Sequence, residues 1–179
     1  MEISIKNLKS VSGSHIEYDG SCGLYVSARY MPKSGRAISR IAKELGISIN
    51  QDKLHTTLIY SFTAPDYPVQ DVILECERLD SRSVGQVVYA DGVDVFHGHD
   101  GKYYTVLTVE APLFHQFNTR LQEMGAVHSM PDFKPHITLT ASETPPEGKA
   151  DVYRLVSLNL RRVPLPLKFR VNPPSNLDD

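Results

Sequence analysis

Apolar and polar positions along this chain repeat one order twice. In "GLYVSARY", Leu24, Val26 and Ala28 alternate with Tyr25, Ser27 and Arg29, the period of two expected of a half-buried strand. The next stretch, "SGRAISRIAKELG", changes to helical spacing, with Ala37, Ile38, Ile41, Ala42 and Leu45 on one stripe. Ser34 suits the N-cap of that helix and Gly46 its C-terminal stop. A second strand, "KLHTTLIYS", follows at residues 53–61. Further on, "KYYTVLTVE" reads as a strand, with Leu107 and Val109 on one face and Val106 and Thr108 on the other. Pro112 then suits the first position of a helix whose stripe is Leu113, Phe117, Leu121 and Met124, ended by Gly125. A loop leads to "KPHITLTAS" at residues 134–142.

The remaining segments are less regular. "PVQDVILECERLD" fits either a helix or a strand, because a short apolar run does not separate them. "GQVVYADGVDVFHG" reads as a strand closed by the turn "HGHDGK", and "LPLKFRV" as a last strand. Residues 1–21 and 172–179 are polar and predicted to be loosely ordered. The chain of 179 residues is expected to form a single α+β domain over 1–179, its first half at about 23–62 and its second at about 102–142.

The two strands that close the halves share Lys, His, Thr, Leu and Ser at five matched places. His136 lies 81 residues after His55, and the same step carries Tyr25 to Val106, inside the corresponding strand. A nine-residue match alone is weak, but a matched strand–helix–strand frame around it indicates an internal duplication. Residues two apart in a strand share a face, so Lys53, His55 and Thr57 lie together, as do Lys134, His136 and Thr138. Leu54 and Leu58, then Ile137 and Leu139, are left to anchor each strand in a core. By the same parity Ser61 and Ser142 follow their histidines.

Two imidazoles flanking one phosphorus would remove a proton from an attacking oxygen and supply one to a leaving oxygen, since an ordinary histidine populates both forms near neutrality. Hydroxyls at Thr57 and Thr138 would donate to the non-bridging oxygens. Such a scheme requires no metal and no cofactor. Lys53 and Lys134 offer charge beside the phosphate, although ordinary strand-entry lysines are the favoured reading. "FHGHDG" brings His97, His99 and Asp100 together, a set more often a polar hairpin tip than a metal site, with no fourth ligand evident.

A net charge of −2 provides no electropositive field for duplex DNA or an anionic membrane, so a polyanionic substrate must be small and locally held. No apolar run approaches membrane-spanning length, and the N-terminus lacks an apolar leader core. Cys22 and Cys76 lack metal or redox spacing and read as thiols in a reducing cytosol. The expectation is therefore a cytoplasmic protein without an obligate protein partner.

"HTTL" and "HITL" resemble the paired His-x-Thr-x motifs of the two-histidine (2H) phosphoesterase superfamily, over roughly residues 23–142. That resemblance implies a bilobal fold of two pseudo-symmetric strand–helix–strand halves, with antiparallel sheets around a central cleft. It also implies metal-independent phosphodiester cleavage, with His55 and His136 as the acid–base pair and Thr57 and Thr138 gripping the phosphate. "GLYVSARY" leading to "LHTTLIYS", and then "KPHITLTAS", is most similar to the phage anti-CBASS proteins, whose substrates are the cyclic oligonucleotide signals of bacterial antiviral defence. The resemblance implies cleavage of 3′–5′ linkages in a cyclic di- or trinucleotide, or a short oligonucleotide. A 2′,3′-cyclic or 2′–5′ oligonucleotide phosphodiesterase and a non-catalytic nucleotide sponge are the alternatives. The chain contains no tryptophan, so base stacking falls to another aromatic. Tyr25 is the candidate, with a solvated strand face as its other reading, and Phe169 is weaker.

Overall fold

The computed structural model describes residues 3–7, 24–61, 71, 74–75, 77–78, 81, 87–128, 130, 132–160, 164–166 and 171–172. In chain order these form β1 (Ile3–Asn7), β2 (Leu24–Arg29), α1 (Pro32–Glu44), a 3₁₀ turn (Gln51–Lys53), β3 (His55–Ser61) and β4 (Val87–His97). There follow β5 (Tyr103–Glu110), α2 (Pro112–Glu123), β6 (His136–Ser142), α3 (Ala150–Leu160), β7 (Pro164–Pro166) and β8 (Val171–Asn172). Between β3 and β4, Asp71, Leu74, Glu75, Glu77, Arg78 and Ser81 have helical backbone, which decides the helix-or-strand question for that segment.

Both helices that precede the motif strands begin at proline. Pro32 and Pro112 occupy the first turn, where the missing N–H costs nothing and the fixed φ already suits a helix. This corrects the expectation for Ser34, which is buried within the first turn of α1 instead of capping it. Both helices also end alike. Gly46 N donates to Lys43 O and Ile47 N to Ala42 O, and Gly125 N donates to Gln122 O and Ala126 N to Leu121 O. Closing a helix this way needs a left-handed residue, which the glycines provide with φ of 71° and 103°. No element was expected at 150–160, where α3 buries Tyr153, Val156 and Leu160 against the second sheet.

Among the described residues the strands form two four-stranded sheets, ordered β3-β2-β1-β8 and β6-β5-β4-β7. The fold is α+β as expected, and β2–β3, β4–β5 and β5–β6 each pair antiparallel, the first and last of these across an intervening helix. The chain ends add strands to the first sheet. Ile3–Asn7, where no strand is expected from the sequence, pairs with β2 along its whole length. β8 pairs in parallel with β1, Ile3 facing Val171 and Ser4 facing Asn172, so the first sheet is not wholly antiparallel. No hairpin joins these two strands, so turn geometry does not impose their direction. The expected single last strand over "LPLKFRV" is likewise divided, since β7 pairs with β4 in the second sheet and β8 with β1 in the first.

One apolar core runs through the molecule. It joins Val26, Ile38 and Leu58 to Leu107, Phe114, Phe117 and Ile137, all fully buried. The helices cross over, α2 packing on β3 and α1 on β7. β3 and β6, each an end strand of its own sheet, approach with Cα–Cα separations under 8 Å. Among the described residues no helix is long and apolar enough to cross a membrane.

This arrangement makes α2 central to stability and leaves one face of α3 dispensable. Phe114→Ala should lower unfolding free energy by roughly 3–5 kcal/mol in urea titration, as a buried ring replaced by a cavity does. Leu155→Ala, at a side chain 63% exposed, should change it by no more than about 0.5 kcal/mol. Equal losses at the two positions would contradict the packing described.

Candidate functional site

The four motif residues lie on two strands, β3 and β6, that are end strands of their sheets and approach one another. His55 and Thr57 are half-buried on β3, while His136 is half-buried and Thr138 exposed on β6. The alternation expected of "HTTL" and "HITL" holds through these positions: Leu54, Thr56 and Leu58 are buried, as are Ile137 and Leu139. Thr56 carries a hydroxyl into the core, where it is satisfied at 2.7 Å by Tyr30 Oη. Burial pushes the Tyr30 phenol well above its ordinary pKa, so it is a neutral structural group.

Each strand then breaks its alternation at the same place. Val26 faces Ile59 and Ser27 faces Thr57, so Leu58 is skipped. Thr105 faces Thr140 and Val106 faces Thr138, so Leu139 is skipped. Both bulges fall three residues after the histidine. A bulge adds one residue on one strand and turns the following side chains to the other face. Ser61 is consequently buried, which corrects the expectation that it follows the parity of His55. Arg29 pairs with His55 and Thr108 with His136, so the strands beside the motifs are offset by 79 residues, not 81. In register, Tyr25 corresponds to Tyr104 and not to Val106.

The two imidazoles are anchored identically. His55 Nδ1 lies 2.8 Å from the carbonyl oxygen of Lys53, and His136 Nδ1 lies 2.7 Å from that of Lys134. A carbonyl only accepts, so each Nδ1 carries the proton and donates it. The neutral ring is thereby held in one tautomer, and Nε2 becomes the atom that gains or loses a proton. The lysines thus contribute through their main chains, while both side chains are exposed.

The environment of His136 is specific. Phe96 on β4 lies edge-on to it, with ring centroids 4.9 Å apart and planes at 72°. Burial lowers the His136 pKa from its ordinary value, and the nearby charge of His55 lowers it further, against an opposing effect from the Lys134 carbonyl. That the charge of His55 is felt at His136 is the electrostatic sign that β3 and β6 bring the pair to one place.

Several other predicted residues lie elsewhere. The His97 ring stacks on Tyr103 at 4.8 Å, and Asp100 accepts from Tyr104 Oη at 2.7 Å and from Lys102 N at 3.2 Å. This is a stitched hairpin tip, and among the described residues no group of three His, Cys, Asp or Glu side chains could hold a metal. A surface groove lined by Glu75, Arg78, His115 and Arg120 includes none of the motif residues, and Arg120 is already paired with Glu75 and Glu123. The side chain of Tyr25 lies outside the described residues, as do Cys22, Cys76 and Phe169.

Three contributors were not foreseen. Phe96 carried no signal beyond being an aromatic in a strand. Asn118 did carry one, a polar residue on the apolar face of α2. His128 carried none, because its partner is the main chain of Tyr60, 68 residues away in sequence.

A family model for the anti-CBASS protein Acb1 matches residues 22–161, a span that includes all four motif residues. Similar proteins of that name occur in several phages. That of Vibrio phage KVP40 is 29% identical over 122 residues, covering 67% of this chain and 73% of the relative. That of Escherichia phage RB16 is 29% identical over 140 residues (76% and 72%). That of Enterobacteria phage T4 is 26% identical over 153 residues (84% and 92%). With most of its length matched by the family model, the chain belongs to the anti-CBASS protein Acb1 family.

Proposed function

We propose that this protein is a metal-independent phosphodiesterase that counters CBASS by cleaving 3′–5′ linkages of cyclic oligonucleotide signals in the host cytosol. The observation that carries this reading is the pair of identically anchored histidines, each with Nδ1 tied to a backbone carbonyl and each followed by a threonine and a bulge. A pure phosphate binder has no need of two titrating imidazoles, and Arg or Lys would hold the anion with less dependence on pH. Membership of the Acb1 family supports the substrate class. The repeated strand–helix–strand order, shared helix ends and matched bulges support a 2H-type bilobal fold of two pseudo-symmetric halves within one domain.

In this mechanism a ribose 2′-hydroxyl attacks the adjacent phosphorus. The bond from the 2′-oxygen to phosphorus forms, and the bond from phosphorus to the 5′-oxygen breaks, leaving a 2′,3′-cyclic phosphate and opening the ring. His136 Nε2 takes the 2′-hydroxyl proton and His55 Nε2 supplies one to the departing 5′-oxygen. The assignment follows from environment: the lowered pKa of His136 keeps it neutral and proton-accepting near neutrality. Thr57 and Thr138 donate to the non-bridging oxygens, whose negative charge grows in the transition state. Addition of water with the histidine roles reversed opens the cyclic phosphate.

His55→Ala and His136→Ala should each reduce turnover at least ~100-fold while leaving the fold intact. The test is a panel in EDTA of cyclic di- and trinucleotides, a 2′,3′-cyclic mononucleotide and a 2′–5′ oligoadenylate, with products separated by chromatography. Wild-type cleavage of the cyclic oligonucleotides is the expected result. Cleavage of only the 2′,3′-cyclic or 2′–5′ compound would move the activity to RNA processing, and intact recovery of a bound compound would identify a sponge. Loss of activity in EDTA, restored by one divalent ion, would refute the metal-free scheme.

The pH dependence follows from the same assignment. A base is inactivated on protonation, so kcat/KM should fall with decreasing pH through the pKa of His136, giving an acid limb centred below the ordinary 6.5. Phe96→Ala admits water to the ring and should move that limb towards 6.5. An acid limb unchanged by Phe96→Ala would show that another group sets it.

A further inference from the structure

β3 is an end strand, and at its bulge two main-chain groups are taken up by side chains from one remote stretch of chain. Asn118 Nδ2 on α2 donates to the Leu58 carbonyl at 2.7 Å, in a buried position. Tyr60 N donates to His128 Nδ1 at 3.1 Å. Both clamping side chains are themselves oriented. Gln122 Nε2 donates to Asn118 Oδ1 at 2.6 Å, which fixes the amide with its NH₂ towards Leu58. Phe133 meets the His128 ring edge-on, with centroids 5.6 Å apart.

We propose that Asn118 and His128 are positioning residues that grip β3 at its bulge and hold His55 and Thr57 in line with His136 and Thr138. The inference rests on the acid–base reading above. Its physical basis is connectivity: the segment that supplies Asn118 and His128 runs on directly into β6, which carries His136. The same stretch of chain therefore presents one histidine and holds the strand that presents the other. Leu58 immediately follows Thr57 and has no facing residue in β2, so its carbonyl depends on Asn118. The clamp is one-sided. Counting from the opening prolines, Ile38 stands in α1 where Asn118 stands in α2, and its side chain donates nothing. His128 also differs from the motif histidines in tautomer. Its Nδ1 accepts, so its proton sits on Nε2, the reverse of His55 and His136.

His128→Leu and Asn118→Leu remove the acceptor and the donor, whereas His128→Asn keeps an acceptor near the Nδ1 position. With a 3′–5′-linked cyclic dinucleotide and cyclic trinucleotide as substrates, and folding checked by circular dichroism, each Leu variant should lose kcat roughly 10–100-fold with little change in KM. His128→Asn should recover most of that loss. A His128→Leu enzyme with wild-type kcat, or a His128→Asn enzyme as slow as His128→Leu, would overturn the proposal. Should a Leu variant fail to fold, ¹H–¹⁵N correlation of wild-type imidazoles decides the matter: His128 protonated at Nε2 supports the clamp, and His128 protonated at Nδ1 refutes it. A wild type inert towards both substrates would sink the acid–base reading and the clamp's role with it. An active wild type beside unaffected variants would sink the clamp alone.

Discussion

The bond from each motif imidazole to the carbonyl two residues before it is the interaction on which the site depends. An imidazole on a strand edge has free rotation about two torsions and a choice of tautomers. Donation from Nδ1 to Lys53 O, and in the other strand to Lys134 O, removes both freedoms at once. The acceptor is backbone, fixed at the start of the strand, and it cannot titrate. Nε2 can therefore gain or lose a proton without disturbing the bond that aims it. Lys53 and Lys134 serve here through main-chain atoms, so side-chain chemistry at those positions is a poor guide to what they do.

Anchored rings can act together only if their strands approach, and that rests on the core. β3 and β6 belong to different sheets and exchange no ladder bonds. They are held together because Leu58, Ile137 and the rings of Phe114 and Phe117 join one buried cluster, and because α2 packs back onto β3. End strands ordinarily expose unpaired main-chain groups. Here two such groups on β3 are occupied by Asn118 and His128, so the edge is closed by side chains and not by another strand.

The matched bulges give the arrangement its shape. At Leu58 and at Leu139 an extra residue bends each strand just beyond its threonine. Membership of the Acb1 family and this geometry are different kinds of observation. The family match is a property of residues 22–161 as a string, whereas the bulges and the tautomers are properties of how that string folds.

Local chemistry made much of this legible in the chain itself. Strand alternation, proline starts and glycine stops depend on neighbouring residues, so β2, α1, β5 and α2 could be read directly, and the repeated His-x-Thr marked both motif strands. Ser34 misled because an N-cap signal competes with a nearby proline, and Pro32 suits the first turn better. Ser61 misled because parity cannot anticipate an inserted residue. Tertiary structure alone decided what depends on pairs remote in sequence: the parallel partnership of β1 with β8, the cover of Phe96 over His136, and the hold of His128 on Tyr60. Each joins groups whose separation along the chain carries no periodic signal. Only the burial of a shared core brings them together.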